Sequence, residues 1–193
     1  MSLRWERVSA LWTLVPGATR ALHEPRPVVA VAGASNVGKS SLLNALFQRK
    51  KLARTSKSPG CTRAIHGYLV DGRLVIADLP GYGHAQVSKA EQEAWARLIA
   101  WFFERVRPRL VVALMDIRHG PKPKDLELVR WLNALGLAWT PVATKADKLS
   151  RGRAKARLEE MSKTLGTTPL AVSARTREGL DQLRALLASL VDG

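Results

Sequence analysis

Cysteine is almost absent from this chain. The single Cys61 excludes an intramolecular disulfide and any cysteine-rich metal site, and it reads as a small filler in a loop rather than a nucleophile. No apolar run approaches the length needed to cross a bilayer. The opening Met1-Ser2-Leu3-Arg4-Trp5-Glu6 lacks the basic-then-apolar order of a secretory signal, so the cytoplasm is the expected compartment. Internal repeats, heptad runs and low-complexity stretches are missing too, which removes solenoids and coiled coils. Acidic residues are scarce: 16 Asp and Glu stand against 31 Lys and Arg, a formal net charge of +15. Such a field attracts polyanions at long range. Nucleic acid fits it best, an anionic membrane surface is the rival, and a generally solvated, Arg-rich surface is the plain alternative.

What is present reads as one α/β domain. At 193 residues, with 46% hydrophobic and 24% charged residues, the chain has the length and balance of a single globular core. Residues 1–24 read as an amphipathic lead-in, closed by the Pro25-Arg26-Pro27 break, and 25–193 as the domain itself. Val28 to Ala32 is a continuous apolar run rich in valine, as a strand buried on both faces requires. A glycine-rich loop follows, then a helix over 41–47 with Leu42, Leu43, Leu46 and Phe47 on one face. Residues 48–62 form a polar, basic loop, of a length that is usually functional. Ile65 to Val70 and Arg73 to Ala77, joined by Asp71-Gly72, predict a hairpin. Beyond it come a helix ending near Val106, a strand from Leu110 to Met115 and a helix over 124–135. A strand from Ala138 to Ala143, a basic helix over 151–165, a strand from Pro169 to Val172 and a helix over 176–191 complete the chain. The alternation predicts a parallel sheet with one antiparallel excursion.

Gly33-Ala34-Ser35-Asn36-Val37-Gly38-Lys39-Ser40 fits the phosphate-loop pattern G-x-x-x-x-G-K-[ST] between a strand and a helix, the context the motif demands. Its glycines let backbone N–H groups turn inward onto phosphates, and the following helix adds its positive end. Lys39 is expected to reach the β- and γ-phosphates, and Ser40 to offer its hydroxyl to Mg²⁺. Asp78-Leu79-Pro80-Gly81 ends an apolar strand, where Asp78 can hold a magnesium-bound water and the Gly81 N–H can approach the γ-phosphate.

Thr144-Lys145-Ala146-Asp147 would select the base. A carboxylate at Asp147 can accept from the guanine N1–H and its exocyclic amine, a donor pair adenine lacks. The Lys145 stem can lie along the base plane. Ser173-Ala174 could set a backbone N–H on the guanine O6, and Thr62 could close over Mg²⁺ while the γ-phosphate is present. Each short motif is weak alone, and their order along the chain gives them weight.

These pieces in this order resemble translation-factor-related GTPases. The wording GASNVGKS over 33–40, Ser58-Pro59-Gly60-Cys61-Thr62, Asp78-Leu79-Pro80-Gly81-Tyr82-Gly83 and Thr144-Lys145-Ala146-Asp147 closely resembles the EngB (YihA/YsxC) family. These are small bacterial GTPases of large-subunit ribosome assembly, whose loss is associated with division and septation defects. The resemblance implies a P-loop GTPase fold: three α/β/α layers around a mostly parallel six-stranded sheet with one antiparallel strand. It implies a GTP site built from Gly33 to Ser40, from Gly60, Cys61, Thr62, Arg63 and Ala64, from Asp78 to Gly81, from Thr144 to Asp147, and from Val172, Ser173 and Ala174. It also implies Mg²⁺ at Ser40 and Thr62, with Asp78 acting through water. Thr144 replaces the usual asparagine, which predicts a weaker tie between base and phosphate loop. Tyr82 stands where many signalling GTPases place a water-orienting glutamine, and Ala34 where the family commonly has arginine.

The expected chemistry is in-line attack of water on the γ-phosphate, with Lys39, Mg²⁺, Thr62 and the Gly81 amide in the catalytic set. No residue is an obvious water-positioning base, so slow intrinsic turnover, raised by a partner, is expected. Asn36 with loop carbonyls could hold K⁺ near the phosphates, as in related GTPases with this asparagine, or serve as an ordinary loop hydrogen-bonder. The expected partner is the large ribosomal subunit and its rRNA, met by Arg49, Lys50, Lys51, Arg54 and Lys57 beside the switch loop. Arg151, Arg153, Lys155 and Arg157 form a second basic set, which reads first as a solvated helix face. Trp95, Trp101, Phe102 and Phe103 read as core. DNA and a membrane anchor are not expected, and the chain is read as a monomer. Two rivals stand beside this reading: a nucleotide-gated scaffold for division or membrane-associated proteins with little catalytic role, and an ATP-dependent kinase using the same phosphate loop.

Overall fold

β2 (Val28–Gly33) is buried at every position, and the two-residue period of a strand divides its side chains between two apolar layers. Val29 and Val31 share a core with Leu42, Leu43 and Leu46 of α1 (Lys39–Leu46) and with Leu183 and Leu187 of α5 (Leu180–Ser189). Val28, Ala30 and Ala32 share the other with Leu98, Ile99, Phe102 and Phe103 of α2 (Lys89–Arg105) and Leu132 of α3 (Pro123–Ala134). Met115, Val129 and Met161 form a third cluster that seats α4 (Arg151–Leu165) beside α3. The result is the expected α/β/α sandwich. The structure, a computed structural model, describes residues 3–17, 22, 24–53, 64–83 and 88–191.

The remaining strands are β1 (Val8–Leu14), β3 (Ile65–Val70), β4 (Leu74–Asp78), β5 (Leu110–Asp116), β6 (Trp139–Thr144) and β7 (Leu170–Ala171). They form one sheet in the order β1-β3-β4-β2-β5-β6-β7, with β3 alone running against the others. The expected hairpin is β3–β4. Asp71 and Gly72 both have positive φ, 47° and 69°, and Arg73 N–H closes the turn on Val70 O at 3.0 Å.

The sheet has seven strands, where the sequence predicts six. The additional strand is β1, inside the segment read as a lead-in, and it lies antiparallel to β3 at the sheet edge. Its own pattern is weak because a bulge between Ala10 and Trp12 breaks the two-residue alternation. What fixes it is Trp12, which lies over Gly67: a Cβ on Gly67 would come 2.3 Å from Trp12 Cε2. The last helix is also shorter than predicted, because the chain turns through Gly179 (φ 71°) before α5 begins. A Cβ there would meet Ala171 O at 2.0 Å, so only glycine fits.

Parallel strands deliver their C-terminal ends to one edge of the sheet, where ligand sites of such folds lie. Gly33, Asp78, Asp116, Thr144 and Ala171 end β2, β4, β5, β6 and β7 along that edge.

Candidate functional site

The phosphate loop spans the gap between β2 and α1. Gly33 is enclosed: a Cβ would fall 2.8 Å from Val37 Cγ1 and 3.0 Å from Leu114 Cβ. Gly38, with φ 103°, caps α1 in a conformation that a side chain would resist. Asn36 also holds positive φ, 63°. Lys39 Nζ forms an ion pair with Asp78 Oδ1, and both side chains are largely covered. The two groups expected to serve the phosphates and the magnesium water thus face each other across the cradle.

The strand-ending turn after Asp78 lies directly on the loop. A Cβ on Gly81 would come 3.2 Å from Ser35 Cα and N, so this glycine permits the close approach. Ser35 N–H donates to Tyr82 O at 2.8 Å, and Tyr82 N–H to Gly33 O at 3.3 Å. The Tyr82 side chain leads away towards α3, where its hydroxyl donates to Asp125 Oδ1 at 2.6 Å. Burial, with the negative charge of Asp125 beside it, pushes the Tyr82 hydroxyl well above its usual value, so it stays protonated. Tyr82 is therefore committed elsewhere and leaves the glutamine-like position without a base.

At the end of β6, the buried Thr144 hydroxyl lies 2.7 Å from Val37 O and 3.1 Å from Met115 O. The tie from the base motif to the phosphate loop is made through this one hydroxyl. Lys145 Nζ donates to Asn36 O at 2.7 Å, a second tie to the same loop. Asp147 sits in a short 3₁₀ turn (Ala146–Lys148), anchored by Ala146 N–H on Val172 O at 3.0 Å. Its carboxylate accepts from the Ser173 hydroxyl at 2.7 Å and from Arg175 Nε at 2.8 Å. Those bonds, Ser173 first, hold Asp147 below the usual carboxylate value. Ser173 is fully buried, and Ala174 follows it at the rim.

The structure thus gathers Gly33 to Ser40, Asp78 to Gly81, Thr144 to Asp147 and Val172 to Ala174 at one edge. Ala64 is buried just ahead of β3. Gly60, Cys61, Thr62 and Arg63, with Arg54 and Lys57, lie outside the described residues. For Mg²⁺, Ser40 in the first turn of α1 and the buried Asp78 carboxylate supply hard oxygen donors, the set this ion takes alongside phosphate oxygens and water.

Two residues of the site were not read from the sequence. Asp116 Oδ2 accepts from Lys145 Nζ at 2.9 Å, and Arg118 forks onto both oxygens of Asp116. With Asn36, Val37, Lys122 and Lys145 they border a cavity of about 260 Å³ beside the phosphate loop. The sequence offered little signal for them: an Asp-x-Arg after a buried strand has no meaning until Lys145 is brought next to it.

Residues 28–145 match the family described as 50S ribosome-binding GTPase. The chain is 44% identical over 168 residues to the probable GTP-binding protein EngB of Syntrophomonas wolfei subsp. wolfei, covering 86% of this chain and 87% of that one. It is 37% identical over 171 residues to the probable GTP-binding protein EngB of Bacillus subtilis, covering 86% and 88%. A crystal structure of a probable GTP-binding protein EngB superposes with a TM-score of 0.69 at 24% identity, covering 86% of this chain and 98% of that one. The crystal structure of Era in complex with MgGDPNP and nucleotides 1506–1542 of 16S ribosomal RNA gives a TM-score of 0.69 at 24% identity, over 88% of this chain and 58% of that one. At those identities the two structures speak for the fold. The relatives in sequence speak for more: the chain belongs to the EngB family of P-loop GTPases, enzymes that hydrolyse GTP.

Proposed function

We propose that this GTPase assists assembly of the large ribosomal subunit in a nucleotide-dependent way, and through that supports normal cell division and septation. The observation that carries the reading is the chain's excess of positive charge, 31 Lys and Arg against 16 Asp and Glu. Arg49, Lys50 and Lys51 are exposed beyond the C-terminal end of α1, the end remote from the phosphate loop, where Arg49 Nη2 donates to Glu6 O at 3.0 Å. A charge of +15 leaves that surface in a strongly positive field. The matched family's description names the 50S ribosome, and Era, a protein of related fold, meets rRNA in its complex.

In this reading Asp147 accepts the two guanine donors, Lys145 lies along the base, and a backbone N–H at Ser173-Ala174 meets O6. Entry of nucleotide draws Lys39 from Asp78 to the β- and γ-phosphates. Ser40 and Thr62, with Asp78 acting through water, would hold Mg²⁺, and the Gly81 amide would meet the γ-phosphate. Bound Mg²⁺ supplies charge stabilisation at the phosphate oxygens. With Tyr82 held by Asp125, no side chain among the described residues orients the attacking water, and intrinsic turnover is slow until a partner completes the site. Asn36, with its positive φ of 63°, would be a ligand for K⁺ beside the phosphates. Equal hydrolysis rates in potassium and sodium buffers, with large subunits present, would sink that last point.

The test is co-sedimentation of the full chain with purified large subunits in GTP, in GDP and without nucleotide. Binding that favours one nucleotide state and falls steeply with salt is expected. Binding indifferent to both, or transfer to anionic vesicles in its place, overturns the proposal.

A further inference from the structure

The geometry points to Arg118 as a positioning residue for the guanine nucleotide, acting through Asp116 on Lys145; the inference rests on the reading of Lys145 and Asp147 as guanine contacts. Lys145 is held in an unusual state. Its backbone is left-handed (φ 62°), a conformation that a non-glycine residue keeps only when its surroundings over-determine it. Its side chain runs past Gly38, where a Cβ would lie 3.6 Å from Lys145 Cε, and ends on two acceptors. One is Asn36 O at 2.7 Å, and the other is Asp116 Oδ2 at 2.9 Å.

Asp116 can direct Lys145 only if its own carboxylate is fixed, and Arg118 fixes it. The Arg118 Nε and backbone N–H donate to Oδ1 at 2.9 and 3.0 Å, while Nη2 donates to Oδ2 at 2.6 Å. A planar fork of this kind sets the plane of a carboxylate, which a lysine cannot do. Burial raises the Asp116 carboxyl, but the hydrogen bonds of Arg118 and Lys145 outweigh it and hold the group well below the usual range. Asp116 is therefore a shared anion between two cations, one turned to solvent and one turned to the nucleotide.

The loop itself does not depend on the Arg118 side chain. His119 and Gly120 N–H both donate to Asp116 O at 3.0 Å, and Ile117 N–H donates to Thr144 O at 3.1 Å. Removing the guanidinium thus leaves the turn standing and frees only the carboxylate. The bland alternative, a solvated surface ion pair of small effect, predicts no consequence for nucleotide.

The experiment is release of a fluorescent GDP analogue from the full chain carrying Arg118→Ala, Arg118→Lys, Lys145→Ala, or Arg118→Ala with Lys145→Ala. Arg118→Ala should release GDP about fivefold faster, a coupling of ordinary size for residues in one network. Arg118→Lys should fall between it and wild type, with the urea midpoint of the nucleotide-free protein unchanged. The double variant should release no faster than Lys145→Ala alone. Wild-type release from Arg118→Ala, or the same acceleration in the Lys145→Ala background, overturns the positioning role. Wild-type release from Lys145→Ala would instead strike at the reading of the guanine site.

Discussion

The Tyr82 hydroxyl donates to Asp125 Oδ1 across 2.6 Å and so ties the residue after Gly81 to the first turn of α3. Asp125 is 3% exposed, and its other oxygen accepts the Lys122 N–H at 2.8 Å. Tyr82→Phe removes the donor and leaves a buried carboxylate oxygen unpaired, which should cost about 1–3 kcal/mol of stability. Intrinsic hydrolysis should stay within about twofold of wild type, because the hydroxyl makes no contact that belongs to the transition state. Urea denaturation and single-turnover hydrolysis check the two halves separately. A large loss of hydrolysis at unchanged stability would show that Tyr82 leaves Asp125 to act on the nucleotide.

Thr144 contributes one hydroxyl, 2.7 Å from Val37 O, to the contact between base motif and phosphate loop. Thr144→Val keeps the shape and removes the bond, leaving a buried carbonyl oxygen short of a partner. A loss of roughly 1–2 kcal/mol in GDP affinity is expected, about a tenfold rise in Kd. Isothermal titration of GDP measures it. An unchanged Kd would mean that the Lys145 tie to Asn36 is sufficient alone.

The phosphate loop and the turn that carries Asp147 were legible because the chemistry proposed for them fixes residue types at fixed spacing: Gly33, Gly38 and Lys39 stand in the phosphate-loop pattern. The hairpin was legible from Asp71-Gly72, which accepts positive φ twice in succession. Asp116 and Arg118 were not, because their role exists only once β5 and β6 lie side by side and bring Asp116 opposite Thr144. The direction of Tyr82 was hidden for the same reason, since Asp125 lies 43 residues further along the chain. The partner of Thr144 was hidden too, since the fold brings Val37 O, 107 residues earlier in the chain, within 2.7 Å of its hydroxyl. β1 escaped because the bulge between Ala10 and Trp12 interrupts its two-residue alternation.

Asp147 must be ionised to accept two guanine donors, and its pH dependence follows from its partners. The hydrogen bonds of Ser173 and then Arg175 lower its folded-state value below that of a free aspartate, about 3.9. A lowered value means that the ionised form persists as pH falls, and is lost only on passing below the free-aspartate range. GDP affinity should therefore show no carboxylate titration between about pH 8 and pH 5. Asp147→Asn should lose guanine affinity by about a hundredfold or more and turn preference towards xanthine nucleotide. Titrations of wild type and Asp147→Asn with GDP and XDP at about pH 7.5 decide the base assignment, and a variant that still prefers GDP would contradict it.

Gly67 and Trp12 face each other across the β1–β3 pair, and this contact decides whether the seventh strand stays on the sheet. A Cβ at Gly67 would fall 2.3, 2.4 and 2.6 Å from three carbons of the indole, so the whole ring must move. Trp12 also packs on Phe102 of α2, with ring centroids 6.3 Å apart, and cannot shift without opening that contact. Gly67→Ala should therefore cost about 1–3 kcal/mol, the range for overpacking in a filled site. GDP affinity should be unchanged, since β1 and β3 lie on the far side of β4 from the phosphate loop. The cause can be separated from a general intolerance of β3 by repeating the change in a Trp12→Ala background. With the indole gone the three closest contacts of the new methyl group are removed, and the penalty of Gly67→Ala should largely vanish. If it persists at full size, the glycine answers to the backbone of β3 rather than to Trp12.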